Sequence, residues 1–250
     1  MSLVAAVVVP AAPALLPGLG GSADPLGPLR STARDAVARV LAAAPGARVV
    51  VVASATHREG GAARRPVRQE WPLDAPSGAA RYTHGRVMPD ALPTGLEIGR
   101  ELLDGLGADE RVRLISVADD AAPAECATLG ARLVTDAPTV LVVVGDGSAT
   151  RTLKAPGHLD ERSEAFDAEL SRALAAVDGP ALLAVDPHLA DALWCRGRPA
   201  LQVLGGAADA TVLRGDVVLD EAPYSVGYLV ATWLPRYGAE LVAIATTTAP

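Results

Sequence analysis

The stretch Thr139-Val140-Leu141-Val142-Val143-Val144-Gly145-Asp146-Gly147-Ser148 decides the fold. Six residues, four of them valine, run without the alternation that marks a half-exposed strand, then stop at Gly-Asp-Gly-Ser. Such a run reads as a strand buried on both faces, which places it in a parallel sheet covered by helices. Leu3–Val9, Arg48–Ala53, Arg113–Val117 and Ala181–Asp186 have the same character and end in Pro, Ser or Asp or just before one.

Helical patterns lie between these runs. Leu29, Ala33, Val37, Val40, Leu41 and Ala44 fall on one stripe of a 3.6-residue period. Thr94 with Glu97 reads as a capping box ahead of Ile98, Leu102 and Leu103. Pro123 suits the first turn of a helix carrying Cys126, Leu129 and Leu133 inward, and Phe166, Leu170, Leu174 and Val177 form a further stripe. The expectation is an α/β fold: a mainly parallel central sheet flanked by helices on both faces, in one domain over residues 1–250. Val217–Leu219 and Val226–Trp233, separated by Glu221-Ala222-Pro223-Tyr224, read as a C-terminal hairpin, with a helix over Tyr224–Leu234 as the alternative. Arg58–Pro93, rich in Gly, Pro and Arg, reads as a long excursion over one edge of the sheet.

Composition narrows the function. The chain has 250 residues, 50% of them hydrophobic but only 3% aromatic, so Ala, Val and Leu must build the core. A net charge of −7 argues against a general nucleic-acid binder, which needs a basic face for phosphates. Lys154 is the only lysine among 22 basic residues, a bias that suggests a GC-rich genome more readily than an arginine-based function. Two cysteines, Cys126 and Cys195, are too few for a disulfide framework and read as small core residues on helical faces. The apolar start, broken by Pro10, Pro13 and Pro17, lacks the basic region of a signal peptide. No apolar run approaches the ~20 residues of a membrane helix, so the expectation is a soluble cytoplasmic protein that does not engage membranes.

In an open α/β sheet, ligands bind beyond the carboxyl ends of the strands. The segments there are Pro10-Ala11-Ala12-Pro13, Ser54-Ala55-Thr56-His57, Asp119-Asp120, Gly145-Asp146-Gly147-Ser148 and Asp186-Pro187-His188. His57 reads as a metal ligand or general base, or as a loop histidine that happens to follow a strand. The same two readings hold for His84, His158 and His188. Gly145–Arg151 lets a backbone approach a ligand, with Ser148, Thr150 and Arg151 available for an anion, or it is an ordinary strand-to-helix turn. Lys154, close to Asp146 and Arg151 in sequence, is either a charged pocket wall or a solvated side chain. Of the pair Asp119-Asp120, one carboxylate caps the helix near Pro123, or Asp120 contributes to the site. Glu221, ahead of a sharp turn at Pro223-Tyr224, ligates a metal or accepts backbone hydrogen bonds. HExxH, HxH, CxxC, GxGxxG and Walker A spacings are absent.

The Gly145-Asp146-Gly147-Ser148 loop running into Lys154-Ala155-Pro156-Gly157-His158-Leu159-Asp160 and Phe166-Asp167, with Glu221-Ala222-Pro223-Tyr224-Ser225-Val226-Gly227-Tyr228, resembles the LigB-type superfamily. This is a group of class III extradiol ring-cleavage dioxygenases, and the chain is similar to its alanine-rich actinobacterial branch. The resemblance runs nearly the whole chain and is weak across Arg58–Pro93. It implies Fe(II) held by two histidines and a glutamate, catechol and O₂ as substrates, and a distal acid–base histidine. Against that pattern Glu221 matches the glutamate and His57 lies one residue from the second histidine. Pro10-Ala11-Ala12-Pro13 stands where the first histidine belongs, and Ala149 follows Ser148 where the distal histidine belongs.

Three functional readings follow. In the first, the cleft survives without its iron site and, with no cofactor, binds or modifies a small aromatic or anionic metabolite. Asp146, Ser148 and His158 then carry chemistry, and Arg151, Lys154, Asp120 and Tyr224 contact the ligand. The second is an active Fe(II) dioxygenase using His57, Glu221 and a third histidine such as His84 or His158. The third is a non-catalytic subunit, since class III dioxygenases often work as assemblies, whether as a homo-oligomer or with a partner subunit.

Overall fold

A computed structural model describes residues 2–55, 67–79, 91–108 and 111–236. Its core is one sheet whose described strands run in the order β3-β4-β2-β5-β1-β7-β6. The strands are β1 (Leu3–Val9), β2 (Arg48–Ala55), β3 (Arg68–Trp71), β4 (Val112–Ala118), β5 (Thr139–Val144), β6 (Leu213–Glu221) and β7 (Tyr228–Pro235). The four central strands β4, β2, β5 and β1 are parallel. Antiparallel strands flank them: β3 on β4 at one edge, and the β7–β6 hairpin on β1 at the other.

The unbroken apolar runs have the expected cause. Val7, Val49, Val51, Val140 and Val142 face one core, while Val8, Val50, Val52, Leu141 and Val143 face a second on the other side. Both sides are covered, so both sets of alternate residues must be apolar. Each fully buried valine stabilises the fold by about 1.5–3 kcal/mol relative to exposure. The first core is closed by α1 (Gly27–Ala43) and α2 (Thr94–Leu103). The second is closed by α3 (Pro123–Leu133), α4 (Ser163–Ala176), α5 (Gly179–Leu183), α6 (Pro187–Ala192) and α7 (Arg198–Ala207).

Several expectations are corrected. Ala181–Asp186 is no strand: α5 occupies its first half, started by the Asp178 carboxylate accepting the Ala181 N–H at 2.9 Å. Asp186, expected to end a strand, caps α6 instead by accepting the His188 N–H at 2.9 Å. An Asp with proline in the next turn starts a helix, and a short apolar run does not distinguish helix from strand by period. Thr94 forms no capping box with Glu97, because Pro93 is the N-cap and the Glu97 carboxylate is engaged elsewhere. It accepts the Ser77 hydroxyl and, at 2.9 Å, the Gly78 N–H, fastening the segment after β3 to α2. Neither Asp119 nor Asp120 caps α3. They lie too early in the chain, and Glu125 in the first turn reaches back to the Ala122 N–H at 2.9 Å. The alternative helix over Tyr224–Leu234 is replaced by β7, whose residues alternate between the two cores.

Candidate functional site

Strands β1, β2 and β5 end side by side, with Val9 opposite Val144 and Ala53 opposite Val144 in register. Beyond their carboxyl ends lies a cavity of about 200 Å³. Ala11 follows β1, Ser54 is near the end of β2, and Gly145-Asp146 follow β5. Pro93, Thr94 and Gly95 bring in the start of α2, and Arg196 and Gly197 bring in the start of α7. These helices approach so closely because glycine stands at each contact. A Cβ on Gly95 would sit 2.7 Å from the Ala53 methyl, and one on Gly197 would sit 2.6 Å from the Asp146 carbonyl oxygen.

Among the described residues, Asp146 is the one carboxyl lining this cavity. Its Oδ1 accepts the Ala11 N–H at 2.7 Å, and no hydrogen bond from a described residue reaches Oδ2. Burial, reinforced by the nearby Asp167 charge, pushes its carboxyl from 3.8 up to about 7, against the opposing pull of the Ala11 N–H. At neutral pH this group is therefore divided between its two protonation states, the condition a general acid–base needs. The Tyr228 hydroxyl is raised to about 12, chiefly by burial and secondarily by Asp146. Arg196 is half-exposed; its Nη1 donates to Asp191 Oδ1 at 2.7 Å, and its guanidinium lies 5.8 Å from the Trp194 ring centre. The Ser54 hydroxyl is buried and has no hydrogen-bond partner among the described residues.

Ser148 sits one layer beneath. It is fully buried, its N–H donates to Asp167 Oδ1 and its hydroxyl to Asp167 Oδ2, both at 2.7 Å. Asp167 comes from α4 and is itself buried, and burial raises its carboxyl despite those two donors. Arg151 Nε lies 3.1 Å from Asp167 Oδ2, an ion pair whose N–H is not aligned for a hydrogen bond. Gly147 and Gly227 make room for this carboxylate, since a Cβ on either would come 2.5 Å from one of its oxygens. The Gly147 N–H donates to the Gly227 carbonyl and the Gly227 N–H to the Ser148 carbonyl, both at 2.8 Å, so the loop after β5 is tied to the turn before β7. Ser148 and Arg151 thus hold the loop together.

The remaining residues singled out in the sequence lie elsewhere. His158 is exposed in a left-handed conformation (φ 64°), with Nδ1 3.0 Å from the Leu153 carbonyl. Lys154, Asp120, Tyr224 and Glu221 are exposed and do not line the cavity. His188 is in the first turn of α6. His57 and His84 lie outside the described residues. Cys126 is buried in α3, while Cys195 falls in the turn between α6 and α7 rather than on a helical face. Burial pushes these thiols up to about 11 and about 12, which keeps them protonated and unreactive. Among the described residues no three His, Cys, Asp or Glu side chains form a metal-binding group. No described helix is long and apolar enough to cross a membrane.

Sequence reasoning named Asp146 but missed Asp167, Arg196 and the Ser54 hydroxyl. For Asp167 a signal existed: an acid next to Phe166 at the head of an apolar stripe. Larger grooves exist along α3, about 770 Å³ and lined by Arg48, Arg68, Arg113 and Arg132, and between α4 and α6. Arg68 and Arg113 there are paired with Glu70.

No protein-family model and no curated protein matches this chain. Among solved structures, the chain is similar to the crystal structure of uncharacterized protein JW3007 from Escherichia coli K12. The two share 14% identity over 92% of this chain and 99% of that one, with a TM-score of 0.47.

Proposed function

We propose that this chain is a LigB-like α/β protein whose cavity binds or modifies a small anionic or aromatic metabolite without ring cleavage. The observation that carries this reading is a cavity at the carboxyl ends of β1, β2 and β5 with a carboxyl held near 7 in its wall. Cavities of ~150 Å³ accept benzene, so about 200 Å³ suits a molecule of one ring.

Iron chemistry does not fit the donors in the described residues. Ala11, at the position of the first ligand histidine, lines the cavity without a ligating side chain, and its N–H is committed to Asp146. Ala149, at the position of the distal histidine, is buried and carries no proton-transfer group. Glu221 is exposed at the end of β6, opposite Tyr228. A three-ligand facial site requires defined donors around open positions, and Glu221 alone does not provide them. The chemistry that the described residues of the cavity offer is acid–base: Asp146 takes or gives a proton at Oδ2 while Arg196 compensates negative charge on the ligand.

The test is metal analysis of protein purified anaerobically with Fe(II), combined with oxygen uptake on a panel of catechols. Iron well below one equivalent and no oxygen uptake support the reading. Stoichiometric iron that is lost in His57→Ala, with oxygen consumed on a catechol, overturns it.

A further inference from the structure

The cavity collects positive potential from several independent sources. Helices α2 and α7, ten residues each, both begin at its wall. Neither has a side-chain cap on its first-turn N–H groups. Gly95 and Gly197, which line the cavity, donate no backbone hydrogen bond to a described acceptor. Uncapped first turns carry the positive end of the helix dipole; at α7 the Arg198 N–H is given to the Cys195 carbonyl at 3.3 Å and Pro199 has none, so the free donors lie mainly at α2. Arg196 adds a full charge at the same wall; Asp191 engages only its Nη1.

Two further observations point to a ligand. The Ser54 hydroxyl is buried in the cavity wall with no partner among the described residues, and a buried unpaired hydroxyl is costly unless something occupies the site. Asp146 Oδ2 likewise takes no hydrogen bond from a described residue, and its carboxyl is protonated in part at neutral pH, so it can donate to an anion instead of repelling it.

We propose that the cavity recognises an oxyanion, the carboxylate or phosphate group of a small molecule, held by Arg196, Ser54, Asp146 and the first turns of α2 and α7. The rest of such a ligand extends towards Ala11, Ala53, Pro93 and Val144, the apolar residues of the wall. This inference rests on the reading that the cavity is the ligand site, and it names the group that site is built for.

The test is calorimetric titration of the full chain with benzoate, with inorganic phosphate, and with benzamide as the neutral isostere of benzoate. Expected is binding of an oxyanion at least tenfold tighter than benzamide. A tighter benzoate assigns a carboxylate, and a tighter phosphate assigns a phosphate ester. Arg196→Gln should weaken the oxyanion ~10- to 100-fold, as for a lost hydrogen bond to a charged group. Ser54→Ala should weaken it several-fold, as for a neutral one, and neither change should alter benzamide binding. Should Arg196→Gln disturb the turn through Asp191, Ser54→Ala carries the test alone. Benzamide binding as tightly as benzoate, with no effect of either substitution, overturns the oxyanion proposal and leaves the cavity as the ligand site. No binding by any probe, or binding that survives filling the cavity with Ala11→Leu, overturns both.

Discussion

Replacing Asp146 by Asn should change the pH dependence of stability in a specific direction. The folded protein holds this carboxyl near 7, against 3.8 for the ordinary group. An acid raised on folding binds more protons in the native state between those values, so it costs stability as pH rises from about 4 through 7. At 1.36 kcal/mol for each tenfold, the full cost above pH 7 is at most about 4 kcal/mol. The Asp146 side chain keeps some solvent access through the cavity, and screening of an incompletely buried charge brings the figure to about 2 kcal/mol. The asparagine side chain of D146N keeps an oxygen to accept the Ala11 N–H and shares the shape of the protonated acid, so nothing else in the wall need move. Urea unfolding of both proteins at pH 5 and at pH 8.5 measures the effect. Part of that cost is already present at pH 5, so the stability difference should shift by about 1 kcal/mol in favour of D146N between the two pH values, while titrating groups that Asp146 does not touch cancel. Parallel curves for the two proteins would refute the placement of an ionisable carboxyl in a desolvating wall.

Other consequences are as concrete. Oxyanion affinity should fall about tenfold per pH unit above 7 as Asp146 ionises, since the neighbouring Tyr228 hydroxyl and Cys195 thiol are both raised to about 12; titration of benzoate between pH 6 and 9 checks this. Asp167→Ala strands the Ser148 N–H and hydroxyl in the interior and should cost about 3 kcal/mol in urea unfolding. Gly130→Ala places a methyl 2.1 Å from the Val203 carbonyl where α3 crosses α7, and should lower stability by at least about 2 kcal/mol or prevent folding. Cys126 and Cys195 should resist thiol reagents at pH 8 in the folded protein and react only after unfolding, as read by mass spectrometry.

The sheet was legible because its signal is local. Thr139–Val144 and Leu3–Val9 are strands over the very residues the apolar runs mark, since a strand buried on both faces has no freedom to be anything but apolar. Ala181–Asp186 misled because so short a run carries too little period, and the decisive hydrogen bonds come from Asp178 and Asp186 at its ends. Asp146 was legible from topology alone: it follows the most apolar strand, where ligands collect. Its surroundings were not. Arg196 stands far downstream, and Ser54, Gly95 and Gly197 reach the same wall from three different elements. Their meeting depends on close approaches through Gly95 and Gly197 that no periodicity announces. Ser148 looked functional for its place in a Gly-rich loop, yet the long-range bond to Asp167 commits its hydroxyl to holding that loop. His158 drew notice for its polar neighbours, and those same turn-forming neighbours carry it out to the surface.

The most direct measurement is a crystal structure of the full chain soaked with benzoate at saturating concentration. Expected is the ring against Ala11 and Ala53, with carboxylate oxygens about 3 Å from Arg196 and from the Asp146 carboxyl. Benzoate bound only in the groove along α3, or an empty cavity at saturation, would contradict the assignment of this cavity as an oxyanion site.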